Sequence, residues 1–204
     1  MPTLLLIRHG DNDYLKANRL PGHRPGIHLN QHGLEQAAEL ARSLSKLPIQ
    51  AVYSSPLERA VETAEPLARS LHLAIQLRPG LMDPDVGQWE GRSWKVLRRT
   101  NLWKVIQQTP SQFQFPGGET FVQVQERVVT ALDSIVRSHA EELVAVFFHA
   151  DPIMLAVAHF IGLPLDDFQH LTAFAGSVSI LKFTSSSVKL LALNIFPPLS
   201  FPKL

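Results

Sequence analysis

Two histidines and two arginines of this 204-residue chain stand just past short apolar runs, where a side chain of an α/β sheet can reach a cleft at the strand ends. Arg8, His9 and Gly10 follow the run at residues 3–7. Arg59 lies in the first turn of the helix expected after the run at 51–53, and His149 follows residues 143–148. If those three strands are neighbours, the four side chains meet. Two guanidinium forks suit phosphate or carboxylate, and helix starts expected at Ser55 and Asp151 add free backbone N–H groups and positive dipole ends. A neutral imidazole can attack phosphorus near neutral pH and form a phosphohistidine. Arginines around the equatorial oxygens would contribute on the order of 10³–10⁵ in rate, by analogy with arginine fingers. The leaving alkoxide needs a proton from a nearby carboxylic acid, a contribution of about 10²–10⁴. Asp83, in the MDPDVG stretch at 82–87, is the candidate. Taken singly, each residue has an ordinary reading, a hydrogen-bonded strand-end histidine or a solvated helix arginine. Four of them at matching strand ends is a rarer coincidence.

Those positions require a particular set of elements. Residues 3–7 form a continuous apolar run that suits a strand buried on both faces. A helix is expected over about 30–46, with Leu34, Ala37, Ala38, Ala41 and Leu44 as its apolar stripe. Residues 51–53 read as a second strand. Then Ser55 as N-cap, Pro56 at the first helical position and Glu58 three residues after the cap mark a helix whose buried face carries Leu57, Ala60, Ala64, Leu67, Ala68 and Leu71. A third strand is expected near 74–77. A long helix should span about 119–139, with Val122, Val128, Val129, Leu132, Ile135 and Val136 inward. Residues 143–148 make a central strand, and Asp151 as N-cap with Pro152 at N1 opens a helix to about 161. Residues 178–183 and 189–193 close the sheet, and the proline-rich tail at 197–204 is expected to wrap the surface or fray.

Strands alternating with helices imply an α/β fold, a three-layer sandwich with a mostly parallel central sheet and helices on both faces. One domain is expected over residues 1–204. It carries an insertion at about 80–118 that holds all three tryptophans, Trp89, Trp94 and Trp103, and covers the strand ends. The tryptophans read as packing for that insertion rather than as a base-stacking surface.

Composition excludes several classes. The chain has no cysteine, so disulfide scaffolds, thiol nucleophiles, iron–sulfur clusters and cysteine-ligated zinc are ruled out. With 19 Lys and Arg against 18 Asp and Glu, no overall electrostatic footprint for nucleic acid or an anionic membrane is visible. No apolar stretch approaches the ~20 residues of a membrane span, and residues 1–8 do not read as a signal peptide. A cytoplasmic protein is expected. His23, His28, His32, His72, His139, His159 and His170 show no zinc-ligand spacing, so no metal site is expected.

The stretch LLIRHG at 5–10 resembles the RHG signature of the histidine phosphatase superfamily, in its phosphoglycerate-mutase-like branch. Four further segments follow in that family's order. Gly33, Gln36 and Ala37 match a helix entry, and SSPLERA at 54–60 with Thr63 and Ala64 matches the second motif. GQWEG at 87–91 and PGGET at 116–120 complete the set. The resemblance implies a phosphoglycerate-mutase-like fold in which His9 is the phosphorylated nucleophile. Arg8, Arg59 and His149 would bind the phosphoryl group, and Asp83 would stand at the proton donor's position. It also implies that no metal or organic cofactor takes part. The family's usual donor is Glu, one methylene longer than Asp83, so the loop must approach more closely or Asp85 or a water must assist. Asn12, where the family commonly has Thr or Ser, could donate to phosphate. Gly22, His23 and Arg24 could form a substrate rim, although two glycines and a proline in that loop equally suit a plain turn.

The expected activity is hydrolysis of a small phosphomonoester, with no nucleic-acid or membrane partner. Mutase-type phosphoryl transfer and phosphoanion binding without turnover are the alternatives. The sequence leaves substrate and oligomeric state open.

Overall fold

The computed structural model describes residues 1–198. From 199 onward, the behaviour expected of the tail lies outside the described residues. The elements in chain order are β1 (Thr3–Arg8), α1 (Asp13–Lys16), α2 (Gln31–Leu44), β2 (Ile49–Ser54), α3 (Glu58–Leu71) and β3 (Ile75–Leu77). They continue with α4 (Trp94–Leu97), α5 (Asn101–Gln108), α6 (Phe121–Ser138), β4 (Leu143–Phe148), α7 (Ala150–Ile161), β5 (Val178–Phe183) and β6 (Val188–Ile195). The sheet runs β3-β2-β4-β1-β5-β6. Its four strands from β3 to β1 are parallel, and β5 and β6 each run antiparallel to their neighbour. The strands that carry His9, His149 and the Arg59 helix are therefore adjacent, with β4 between β1 and β2.

The pleat sorts the sheet's side chains into two cores. Leu4, Leu6, Val144, Val146 and Phe148 pack against Val128, Leu132 and Ile135 of α6 and Ile153, Ala156 and Val157 of α7. Leu5, Ile7, Ala145 and Phe147 face the other way, onto Leu40, Ala41 and Leu44 of α2 and Ala64, Leu67 and Ala68 of α3. Both faces of the central strands are thus covered, as the unbroken apolar runs imply. A third cluster holds residues 80–118 onto α6 and α7. Trp89 packs on Phe113 and Phe115, with ring centroids 5.5 and 5.8 Å away. Trp94 meets Trp103 edge-on at 5.7 Å. Among the described residues, no helix is long and apolar enough to cross a membrane.

Four sequence expectations need correction. Helix α3 begins at Glu58 with Leu57 as its cap, not at Pro56 with Ser55. Ser55 is held by the sheet instead, its N–H donating to the Phe147 carbonyl at 2.9 Å. Helix α7 starts two residues earlier than expected, with His149 as N-cap. The His149 carbonyl accepts the first helical bond from the Ile153 N–H at 3.0 Å, which places Asp151 and Pro152 inside the first turn, where proline's missing N–H costs nothing. Val122 is exposed because Phe121 and Val124 take the inward positions of α6. Leu34 is likewise exposed. Helix α2 turns Gly33 inward, because the loop after β1 passes so near that a Cβ there would stand 2.1 Å from the Asp11 carbonyl oxygen.

That approach generates a test. Helix propensity alone would make Gly33→Ala stabilising by about 1 kcal/mol. The backbone contact reverses the sign, and the expected outcome is a loss of roughly 1–3 kcal/mol, read as a lower urea midpoint. A raised midpoint would show that the loop yields without cost.

Candidate active site

The carboxyl ends of β1, β2 and β4 converge. The His9 N–H donates to the Phe148 carbonyl and the Ser55 N–H to that of Phe147, both at 2.9 Å, so both loops are tied to β4. Gly10 is braced from α3, where its N–H donates to Thr63 Oγ1 at 2.9 Å while that hydroxyl donates to the Arg59 carbonyl at 2.7 Å. The result is a pair of buried imidazoles, His9 and His149, with ring centroids 5.2 Å apart and planes at 59°.

The first partner of each ring decides its tautomer. His9 Nδ1 lies 2.7 Å from the Gly10 carbonyl oxygen, which can only accept, so Nδ1 carries the proton and Nε2 keeps its lone pair. Burial, and then the Arg59 and Arg8 guanidiniums, hold the His9 pKa well below the usual histidine range. The ring is therefore neutral at physiological pH. His149 Nε2 lies 2.8 Å from Ser55 Oγ. That hydroxyl already accepts from the Leu57 N–H at 3.3 Å, so its own proton is free to go to Nε2, which leaves an N–H at Nδ1. His149 is held neutral by burial, and then by Arg59, His9, Arg8 and Arg127.

Around these rings, buried donors lack acceptors among the described residues: Arg8 Nε, Arg59 Nε and Nη1, Asn12 Nδ2 and His149 Nδ1. A buried polar group without a partner costs about 1–3 kcal/mol, and charged ones cost more. Concentrating five such atoms on four neighbouring residues is the signature of an anion site. The remaining valences of the same residues are fixed. Arg8 Nη1 donates to the Ala173 carbonyl at 2.7 Å, Arg59 Nη2 to the Gly22 carbonyl at 3.0 Å, and Asn12 Oδ1 caps α1 by accepting from the Leu15 N–H at 2.9 Å.

Asp83 sits in the same site. Its Oδ2 accepts from Arg59 Nη2 at 2.9 Å and lies 3.8 Å from His149 Nδ1. Burial raises its pKa against the pull of Arg59 and Arg8, which favours the protonated form a general acid needs. Asp85 is elsewhere: its Oδ1 accepts from the Gly87 N–H at 3.0 Å, and it borders a separate cavity with Gly80 and Arg127. Arg8, His9, Arg19, Asp83, Trp94 and Asp151 line a narrow cavity of about 90 Å³.

The expected rim residues take three different places. The Gly22 carbonyl belongs to the Arg59 anchor. His23 turns inward, and its Nε2–H donates to the Asp83 carbonyl at 2.5 Å. Arg24 is exposed beside the Tyr14 ring, 6.0 Å from its centroid.

Sequence reasoning missed four supports. Ser55 reads as a helix cap but serves His149. Arg127 donates to the Gly80, Met82 and Asp83 carbonyls at 3.1, 2.8 and 2.9 Å, and Glu119 holds it at 2.7 Å while accepting from the Asp85 N–H at 2.8 Å. This pair clamps the loop that presents Asp83. The PGGET segment was visible at Glu119, but nothing in sequence linked it to Arg127. Asp151, expected as a cap, puts a carboxyl into the cavity wall. Burial, and then the Asp83 carboxylate, push it up to about 7, against the pull of Arg8.

A model of the histidine phosphatase superfamily (branch 1) matches residues 4–195. The chain is similar to phosphoserine phosphatase 1 of Hydrogenobacter thermophilus, 26% identical over 197 residues, which are 96% of this chain and 93% of that protein. It is also similar to the metal-independent phosphoserine phosphatase of Arabidopsis thaliana, 33% identical over 152 residues, covering 72% of this chain and 63% of that one. Among solved structures, a mycobacterial glucosyl-3-phosphoglycerate phosphatase in complex with VO3 matches with a TM-score of 0.87 at 25% identity, over 94% of this chain and 98% of that chain.

Asp151 makes stability depend on pH. Its carboxyl is protonated in the folded protein up to about 7 and ionises near the ordinary carboxylate range when unfolded. Its favourable contribution is therefore complete at low pH and disappears as pH rises through 7. Asp151→Asn should raise Tm by a few degrees at pH 8, with the gain shrinking steadily from pH 7 to pH 5. A difference that ignores pH would place the carboxyl in solvent.

Proposed function

Since the chain belongs to the histidine phosphatase superfamily, branch 1, we propose that it hydrolyses a small phosphomonoester through a phosphohistidine on His9, with Asp83 as proton donor. The observation that carries this reading is the Gly10 carbonyl on His9 Nδ1, which leaves Nε2 as a lone-pair nucleophile facing buried, unpartnered donors.

In the first step His9 Nε2 attacks phosphorus as the ester P–O bond breaks. Arg8, Arg59, Asn12 and His149 Nδ1 take the phosphoryl oxygens, and the Asp83 carboxyl delivers its proton to the departing alkoxide. The phosphorylated ring is an imidazolium whose charge the Gly10 carbonyl stabilises at Nδ1. In the second step the Asp83 carboxylate takes a proton from water, the water oxygen attacks phosphorus and the P–N bond breaks. Inorganic phosphate leaves, His9 is again neutral and Asp83 again carries its proton. Arg59 positions both halves, since one nitrogen holds Asp83 and two others are left for phosphate. The shorter donor is accommodated because His23 and the Arg127–Glu119 pair draw its backbone inward. The relatives named for phosphoserine and glucosyl-3-phosphoglycerate support a small metabolite ester as substrate.

Incubation with para-nitrophenyl phosphate and with phosphoglycerates tests the reading. Release of inorganic phosphate, lost in His9→Ala, is the expected result. Isomerised phosphoglycerate without release would indicate a mutase, and binding without either would indicate a non-catalytic protein. Asp83→Asn should slow turnover at least tenfold. An unchanged rate would assign the proton to solvent.

A further inference from the structure

Two carboxyl groups face the cavity in which His9 stands, Asp83 and Asp151, and the reaction above uses only the first. Asp151 lies in the first turn of α7, two residues past His149. A carboxylate at such a place is ordinarily favoured by the helix dipole. Its surroundings here work the other way. The other charged walls of the cavity are Arg8 from β1, Arg19 from the loop after α1, and Asp83 from the loop after β3. Each is bonded to something else. Asp83 Oδ2 accepts from Arg59 Nη2 at 2.9 Å, Arg8 Nη1 donates to the Ala173 carbonyl at 2.7 Å, and Arg19 Nη1 donates to the Gly91 carbonyl at 2.8 Å. Among the described residues, no cation forms an ion pair with Asp151.

A phosphoryl group in this space adds negative charge beside both carboxyls. The unpartnered donors of Arg8, Arg59, Asn12 and His149 go to its oxygens, so none remains to balance a second carboxylate. Like charges confined in one cavity cannot all stay ionised, and the group that yields takes up a proton. Asp83 has the Arg59 guanidinium beside it whenever it ionises. Asp151 has no such counterpart, so it is the group that yields. Burial, and then the Asp83 carboxylate, already push its pKa up to about 7 against the pull of Arg8. A bound dianion pushes in the same direction.

We propose that the phosphoryl group binds together with a proton held on Asp151, which makes Asp151 a substrate-binding residue that works as a neutral acid. The inference rests on the phosphatase reading and adds a member to its site. Asp83 gives up and regains its proton in the two chemical steps, while Asp151 keeps its own and offers an O–H to the cavity as a donor. That proton comes from solvent when the anion enters and returns to solvent when phosphate leaves. Affinity for a tetrahedral dianion is therefore full below pH 7 and falls as pH rises through it.

Sulfate is the probe, because it is a tetrahedral dianion throughout pH 6–8.5 and its own protonation does not enter. Calorimetric titration of the wild-type protein at pH 8.5, in two buffers of different ionisation heat, should show about one proton taken up per sulfate bound. The uptake should fall toward zero at pH 6. Asp151→Asn keeps the side chain's shape and its neutral donor. It should take up no proton at pH 8.5 and bind sulfate about tenfold or more tightly than the wild type there, an advantage that shrinks toward pH 6. Wild-type uptake below about a quarter of a proton at pH 8.5 overturns the proposal. Undiminished uptake in Asp151→Asn also overturns it and assigns the proton to another group, as does a failure of sulfate to bind at pH 6. Turnover of para-nitrophenyl phosphate reports separately on the phosphatase reading, since the proton count is readable with or without it.

Discussion

A guanidinium with no exposure to solvent must be matched on every side, and Arg59 is such a group. Taking it out of water costs several kcal/mol, recovered only through close hydrogen bonds and opposite charge. Part of the match is internal: the Gly22 carbonyl and the Asp83 carboxylate both meet Nη2. The rest is not, since Nε and Nη1 have no acceptor among the described residues. This half-completed solvation ties the architecture to the chemistry. Helix α3 must carry the residue to the strand ends, the 80–85 loop must reach it, and Nε and Nη1 stay open to an anion.

The same charge sets the protonation states around it. Arg59 stands among the causes that hold both imidazoles neutral, next after burial for each. For Asp83 it acts the other way, pulling the pKa down against burial, which nevertheless prevails. A neutral imidazole at His9 and an Asp83 carboxyl whose pKa burial raises thus line one cavity, a combination that suits two-step phosphoryl transfer. Asp151 extends this balance into the wall of the cavity, where a second carboxyl near Asp83 is itself pushed toward neutrality.

Rigidity comes from outside the reacting groups. The Arg127–Glu119 pair fastens three carbonyls of the loop that presents Asp83, and Thr63 fastens Gly10. The segment at 91–118 sits on its own aromatic cluster, Trp89 with Phe113 and Phe115, apart from the two cores that hold the sheet. Separate packing lets that segment differ in charge and shape without disturbing the strand ends beneath it.

Much of this was legible in the order of residues. Continuous apolar runs at 3–7 and 143–148 specify strands covered on both faces, because only a parallel sheet between helix layers leaves no polar side. Arg8, His9, Arg59 and His149 were identifiable because each follows such a run, and a strand end is a local property. What needed the folded chain was everything set by two segments meeting. Ser55 has a cap's sequence context, yet β4 and His149 claim it. Leu34 fits the helical period better than Gly33 does, until the loop after β1 occupies the space a side chain would need. Arg127 lies forty-four residues from the Asp83 carbonyl that it holds, and no local pattern links them. Burial patterns and strand ends are encoded in neighbouring residues. Tautomers, pKa directions and close contacts arise from distances between remote ones, and only the tertiary structure sets those distances.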